Sequence, residues 1–210
     1  MNKGSPLNRL KVPNIVLVGG TACGKTTVGF QLARLMGFGY LDLDQWIAKK
    51  AGKPIAAIFK DSGEEHFREL EYEAVEALGA LRNHVIITGA GIVESPKCWD
   101  KLKGLGIMVW LATPVENVIA RLIMKPDELR KRPLLAGAVA IESKKERELF
   151  LRTKLEDMHT LRAPRYKEAN MVLADGYATP ETGAYLLKSM LMDQGQGSPA
   201  GEAVVPLVQA

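Results

Sequence analysis

Short apolar runs alternate along the chain with longer segments of mixed polar and apolar positions. That alternation predicts a parallel β-sheet flanked by helices. Asn14-Ile-Val-Leu-Val18 is a buried-strand run ending in Gly19-Gly20, and a helix is expected from about Gly24 to Met36. Gly39-Tyr-Leu-Asp-Leu43 reads as a second strand, with Asp44 as the N-cap of a helix over Gln45 to Lys50. Ser62 to Leu81 reads as a long helix, with Ser62 capping and Glu65 completing a capping box. His84 to Thr88 and Ile107 to Leu111 are strands, and helices follow from about Pro114 to Ile123 and Ile141 to Leu161. Met171-Val-Leu173 is the last strand and leads to a helix from about Pro180 to Met192.

Five strands and their crossover helices make one α/β domain over residues 13–193, a five-stranded parallel sheet with helices on both faces. Met124 to Ala140 mixes proline, glycine and clustered charge, and reads as a long exposed loop. Residues 1–12 are an N-terminal extension, and 194–210, opening with Gln-Gly-Gln-Gly-Ser-Pro, a flexible tail.

Composition narrows the class. Apolar residues at 47% and charged ones at 25% are the balance of a soluble globular domain, and no apolar run is long enough to span a bilayer. Met1 to Asn14 lacks the apolar core of a secretory signal, and two cysteines make no disulfide framework, so a cytoplasmic protein is expected. A monomer is the expected state. Basic residues gather between Arg121 and Lys167, but acids are interleaved with them. That pattern reads as solvated helix faces, with neither nucleic acid nor membrane as partner. His66, His84 and His159 have no metal-ligand spacing, and Trp46, Trp99 and Trp110 read as packing.

The chemistry begins with Gly19-Gly20-Thr21-Ala22-Cys23-Gly24-Lys25-Thr26, which fits G-x-x-x-x-G-K-[ST] between a strand and a helix. In such a loop the backbone N–H groups curl around phosphate oxygens at a helix N-terminus. Thr27 follows on the same turn. Lys25, expected on a solvent-facing loop, would reach the β- and γ-phosphates of ATP or GTP, and the Thr26 hydroxyl would meet Mg²⁺. The strand ending at Thr88 runs into Gly89-Ala90-Gly91 and offers no acid, so Asp42 and Asp44 are the carboxylates expected at the phosphates. From the residues alone the acceptor is open among small hydroxylated molecules. A nucleotide-binding regulatory module without transfer is the reading from another class.

Further motifs narrow the acceptor: Leu41-Asp42-Leu43-Asp44, Phe67-Arg68, Gly89-Ala90-Gly91, Arg132-Pro133-Leu134-Leu135, and Arg162-Ala163-Pro164-Arg165-Tyr166. In this order and at these separations the chain resembles shikimate kinases over roughly residues 13 to 190. The resemblance implies ATP-dependent transfer to the 3-hydroxyl of shikimate. It assigns Asp42 to magnesium, Asp44 to the acceptor hydroxyl, and Arg68 and Arg162 to the shikimate carboxylate. Gly89 to Gly91 would meet the acceptor, and Arg132 would close over ATP on a mobile lid at about 124–140. Two positions depart from the family: Ala90 replaces the middle of three glycines, and Arg165 replaces an apolar residue. If position 90 required φ > 0, the alanine would cost about 1 kcal/mol.

Overall fold

The computed structural model describes residues 14–194, so the expected extension at 1–12 and the tail beyond Gln194 lie outside the described residues. Five strands, β1 (Asn14–Val18), β2 (Gly39–Asp42), β3 (His84–Ile87), β4 (Ile107–Ala112) and β5 (Met171–Ala174), form one sheet in the order β2-β3-β1-β4-β5. Every neighbouring pair is parallel, with Val16 opposite Ile86 on one side and Met108 on the other.

The period-two geometry of a strand explains why β1 is apolar at nearly every position. Ile15 and Leu17 face one helical layer, and Val16 and Val18 face the other. The first layer holds α1 (Lys25–Met36) and α8 (Pro180–Gln194), which pack through Val28, Leu32, Ala184, Leu187 and Leu191. The second holds α2 (Leu43–Ala51), α3 (Ile55–Glu76) and α4 (Pro96–Lys103). Asn14 is fully buried at the lower end of the sheet. Its amide donates to the carbonyls of Leu81 and Leu105 and accepts from the His84 N–H, so the loops entering β3 and β4 are both tied to one side chain at the start of β1.

Several expectations need correction. Asp42, not Asp44, caps α2: its Oδ1 accepts from the Gln45 N–H at 3.3 Å, because the strand ends one residue early and Leu43 is already helical. The helix expected to start at Ser62 starts at Ile55 behind Pro54, and Ser62 lies within the run. The break falls at Gly63 (φ 79°, ψ 177°), a conformation that suits glycine. The helix α4, capped by Ser95 with proline at its first turn, was not anticipated.

Two further corrections concern the segments over the sheet. Residues 124–140 are not a plain exposed loop. They fold as α6 (Pro126–Arg130) and a 3₁₀ stretch, Pro133–Ala140. Leu129, Leu135 and Ala138 are buried against Val118, Ile119 and Leu122 of α5 (Val115–Met124) and Leu151 and Leu155 of α7 (Lys144–Tyr166). The helix α7 also runs past Leu161, through Pro164, to Tyr166. Arg162 and Tyr166, one turn apart and both buried, anchor that last turn, with Tyr166 stacked on Trp110. Among the described residues no helix is long and apolar enough to cross a membrane.

Candidate active site

The carboxyl ends of β1, β2 and β3 open into a cleft of about 1190 Å³ whose floor is the glycine-rich loop. The loop leaves β1 with Gly19 at φ +145°, where a Cβ would lie 2.7 Å from the Leu111 carbonyl. Ala22 (φ 54°) and Gly24 (φ 102°) are left-handed, and Cys23 is buried between them. This alternation turns successive N–H groups toward one concavity at the start of α1, which favours phosphate. Gly20 is unobstructed, and the Thr27 hydroxyl donates to the Gly24 carbonyl at 2.9 Å.

Lys25 corrects one expectation. It is only 8% exposed, and its ammonium donates to the carbonyls of Gly19 and Gly20 at 2.8 Å each. The charge therefore lies within the loop, along its rim. Arg132 reaches the same loop from the segment above: Nε donates to Thr21 Oγ1 at 2.9 Å, while Nη1 is held by the carbonyl and carboxylate of Glu128. The Thr26 hydroxyl donates to Asp42 Oδ2 at 3.2 Å, which places two hard oxygen donors beside the phosphate concavity.

At one end of the cleft a second constellation forms around Asp44, from the first turn of α2. Its carboxyl is raised above the usual carboxylate range, mainly by burial and then by Asp42, while Lys25, Arg132 and Arg68 oppose the shift. A half-buried carboxylate of raised basicity surrounded by three cations is suited to take a proton from a hydroxyl. Gly89 leaves room for that carboxylate, since a Cβ there would meet Asp44 Oδ1 at 2.8 Å and push it aside. Gly91 does the same for Arg68, whose terminal nitrogens would be 2.9 Å from a Cβ and would have to move. Ala90 is not left-handed, so it carries no backbone penalty, and its carbonyl accepts from the Tyr166 hydroxyl. Arg165 donates to the Val93 carbonyl and braces the turn that follows.

Arg68 and Arg162 do converge here, 94 positions apart in sequence, from α3 and α7. Both are linked to Glu94. Arg162 Nε and Nη2 each lie 2.7 Å from Glu94 Oε1, and Arg68 Nη2 is 3.4 Å from Oε2. Arg68 also donates to Glu71 at 2.6 Å and to Glu64 at 2.8 Å. Glu71 is 2% exposed, and burial pushes its carboxyl up to about 7 despite Arg68.

Glu71, Glu94 and Arg121 were not anticipated as site residues. Glu71 follows Arg68 by three positions on a helix, a spacing visible in the sequence. Glu94 had no such signal. Arg121 closes the opposite end of the cleft near Tyr177. It pairs with Asp175 at 2.9 Å and donates to the Cys23 carbonyl of the phosphate loop at 3.3 Å.

A parallel sheet with a phosphate loop after its central strand, a lysine and threonine on that loop, and an arginine-bearing segment above it define a P-loop phosphotransferase of the small-kinase class. The family model described as shikimate kinase matches residues 21–191, and the chain belongs to the shikimate kinase family. Among the curated relatives, the shikimate kinase of Chlorobium limicola is 38% identical over 158 residues, 75% of each chain. That of Caldanaerobacter subterraneus subsp. tengcongensis is 43% identical over 137 residues, covering 65% of this chain and 77% of its own. A solved shikimate kinase from Acinetobacter baumannii, in complex with shikimate, superposes with a TM-score of 0.79 at 32% identity. The match covers 91% of this chain and 100% of that one.

Proposed function

We propose that this chain transfers the γ-phosphoryl group of ATP to the 3-hydroxyl of shikimate, giving shikimate 3-phosphate and ADP. The observation that carries this reading is the convergence of Asp44 with two guanidinium groups across the cleft from the phosphate loop. ATP lies with its phosphates on Gly19 to Thr27 and its base toward Arg121 and Tyr177. Shikimate lies between Gly89-Ala90-Gly91 and the Arg68–Arg162 pair, which holds its carboxylate. Asp44 accepts the proton of the 3-hydroxyl as that oxygen bonds to the γ-phosphorus and the bond to the β-phosphate oxygen breaks. Lys25 and Arg132 stabilise the charge on the transferring group, so catalysis rests on positioning and electrostatics.

Magnesium fits this donor set. Among the described residues no three His, Cys, Asp or Glu side chains gather as a metal site. Thr26 and Asp42 supply two oxygen donors, as suits an ion that arrives on the nucleotide and keeps part of its water. When bound it neutralises the β- and γ-phosphate oxygens. The same reading makes the chain a monomer of the cytoplasm, in keeping with two free, buried cysteines.

An assay of ADP release over a panel of hydroxylated acceptors tests the assignment. Turnover is expected with shikimate, and turnover only with another acceptor, or ATP binding without turnover, overturns it. In the same assay Asp44→Asn is expected to lower kcat by roughly 10²–10⁴-fold, the range for loss of a positioned base. Shikimate affinity should move far less.

Acceptor binding should also depend on pH. Glu71 sits against Arg68, with Asp44 and Glu94 as its other charged neighbours and a carboxyl titrating at about 7. Its raised value means that the proton is retained up to near-neutral pH. Below about 7 the neutral acid leaves Arg68 freer for the ligand's carboxylate, and above it the carboxylate competes. Shikimate affinity without nucleotide is expected to weaken by roughly tenfold, equivalent to one pKa unit, as pH rises through that value. Calorimetry on Glu71→Gln should show the dependence flattened. A parent protein with no dependence would remove Glu71 from the account.

A further inference from the structure

The two guanidinium groups assigned to the acceptor's carboxylate are already joined by a carboxylate of the chain itself. Glu94 Oε1 takes both Nε and Nη2 of Arg162 at 2.7 Å, and Oε2 faces Arg68 Nη2 at 3.4 Å. A bound carboxylic acid would use the same two partners in the same forked manner.

The carboxylates around this pair differ in their freedom to leave. Glu71 is 2% exposed and one helical turn from Arg68, so withdrawing it would bury an unpaired charge. Among the described residues Glu64 pairs only with Arg68, from the solvent side of α3. Glu94 is the carboxylate on Arg162, and its side chain keeps 31% of its surface in water. Its backbone is pinned from both sides. The Glu94 N–H donates to the Gly91 carbonyl at 3.0 Å, and Arg165 holds the neighbouring Val93 carbonyl. Only the side chain is left to rotate. Adding a ligand carboxylate beside Glu64, Glu71 and Glu94 would crowd four acids onto two guanidinium groups unless one acid withdrew.

We propose that Glu94 is an internal competitor for the acceptor's carboxylate. It occupies the Arg68–Arg162 fork in the free protein and swings into solvent when a carboxylate-bearing acceptor arrives, thereby setting the affinity for that acceptor. This rests on shikimate as the acceptor. Ionised Glu71 competes at Arg68 alone, whereas Glu94 spans both arginines, and it discriminates by charge: an acceptor without a carboxylate does not displace it.

The test compares shikimate with its neutral methyl ester on the parent and on Glu94→Gln, by calorimetry and by steady-state assay. Removing the competing charge is expected to lower KM and Kd for shikimate roughly tenfold, with kcat moving far less, and to leave ester binding within about twofold. Glu94→Asp, which keeps the charge but shortens its reach, should fall between parent and Gln. If Glu94 merely orients the arginines, Glu94→Gln weakens shikimate, or shifts acid and ester alike, and the proposal is overturned. Absence of shikimate-dependent turnover in both proteins overturns the acceptor assignment itself. Turnover in the parent with an unchanged KM in Glu94→Gln overturns the competitor alone.

Discussion

Lys25→Met is expected to lower kcat by on the order of 10²- to 10³-fold, the scale for removing one preorganised charge donor, in a protein that stays folded. Lys25 opens α1, where the unpaired N–H groups of the first turn already favour an anion. Its ammonium rests on the Gly19 and Gly20 carbonyls, 3.6 Å from the Cys23 sulfur. The charge is thus held at the concavity without nucleotide and needs only a short movement to reach a phosphoryl oxygen. Burial of the side chain decides the choice of variant. Alanine would leave a void as well as two carbonyls without their donor, mixing a stability loss into the kinetic one. Methionine also leaves the two carbonyls undonated, but it keeps the unbranched apolar stem and so avoids the void. Thermal melting monitored by circular dichroism checks the fold, and ADP release at saturating substrates gives kcat. A folded Lys25→Met protein with near-parent kcat would sink the assignment of this loop to the transferring phosphates.

The parts of this site that were legible in the sequence are those built from neighbouring residues. The phosphate loop could be read because its strand, glycines, lysine and helix are consecutive, so local chemistry fixes its shape. Asp42 and Asp44 were both found, but the capping role went to the wrong one. Two carboxylates one residue apart satisfy the capping pattern equally well until the end of the strand is known. The segment at 124–140 looked exposed because its prolines, glycine and charges hide three buried apolar positions whose partners lie on α5 and α7. The continuation of α7 through Pro164 ran against local propensity and was decided by the burial of Arg162 and Tyr166. The meeting of Arg68 with Arg162 came from the resemblance to a family, because no periodicity joins positions so far apart. Glu94 was missed for the same reason. A glutamate ahead of Ser95-Pro96 carries no local mark, and its importance arises only where the turn after β3 meets the end of α7.

Arg162→Ala is expected to weaken shikimate binding by about 30-fold or more, with ATP affinity changed far less. Truncating one partner of a desolvated charge pair costs roughly 2–5 kcal/mol, and each 1.4 kcal/mol is tenfold in affinity. Arg162 is the better probe of the two arginines. Its own carboxylate partner, Glu94, is partly in water and tolerates the loss, whereas Arg68→Ala would strand the buried Glu71. Arg68→Ala should therefore lower both shikimate affinity and thermal stability, and Arg162→Ala chiefly the former. Arg162→Lys is expected to recover only part of the binding. An ammonium cannot present the two parallel donors that Nε and Nη2 now direct at one oxygen. Titrations with shikimate and with ATP, each alone, separate the two ligands. The double variant Arg162→Ala/Glu94→Gln adds a sharper condition. If Glu94 acts by occupying Arg162, then Glu94→Gln should strengthen shikimate binding in the parent and do little once Arg162 is gone, a coupling between adjacent sites. Parent-like shikimate binding by Arg162→Ala would place the acceptor's carboxylate elsewhere in the cleft and leave only the phosphate half of the site as drawn.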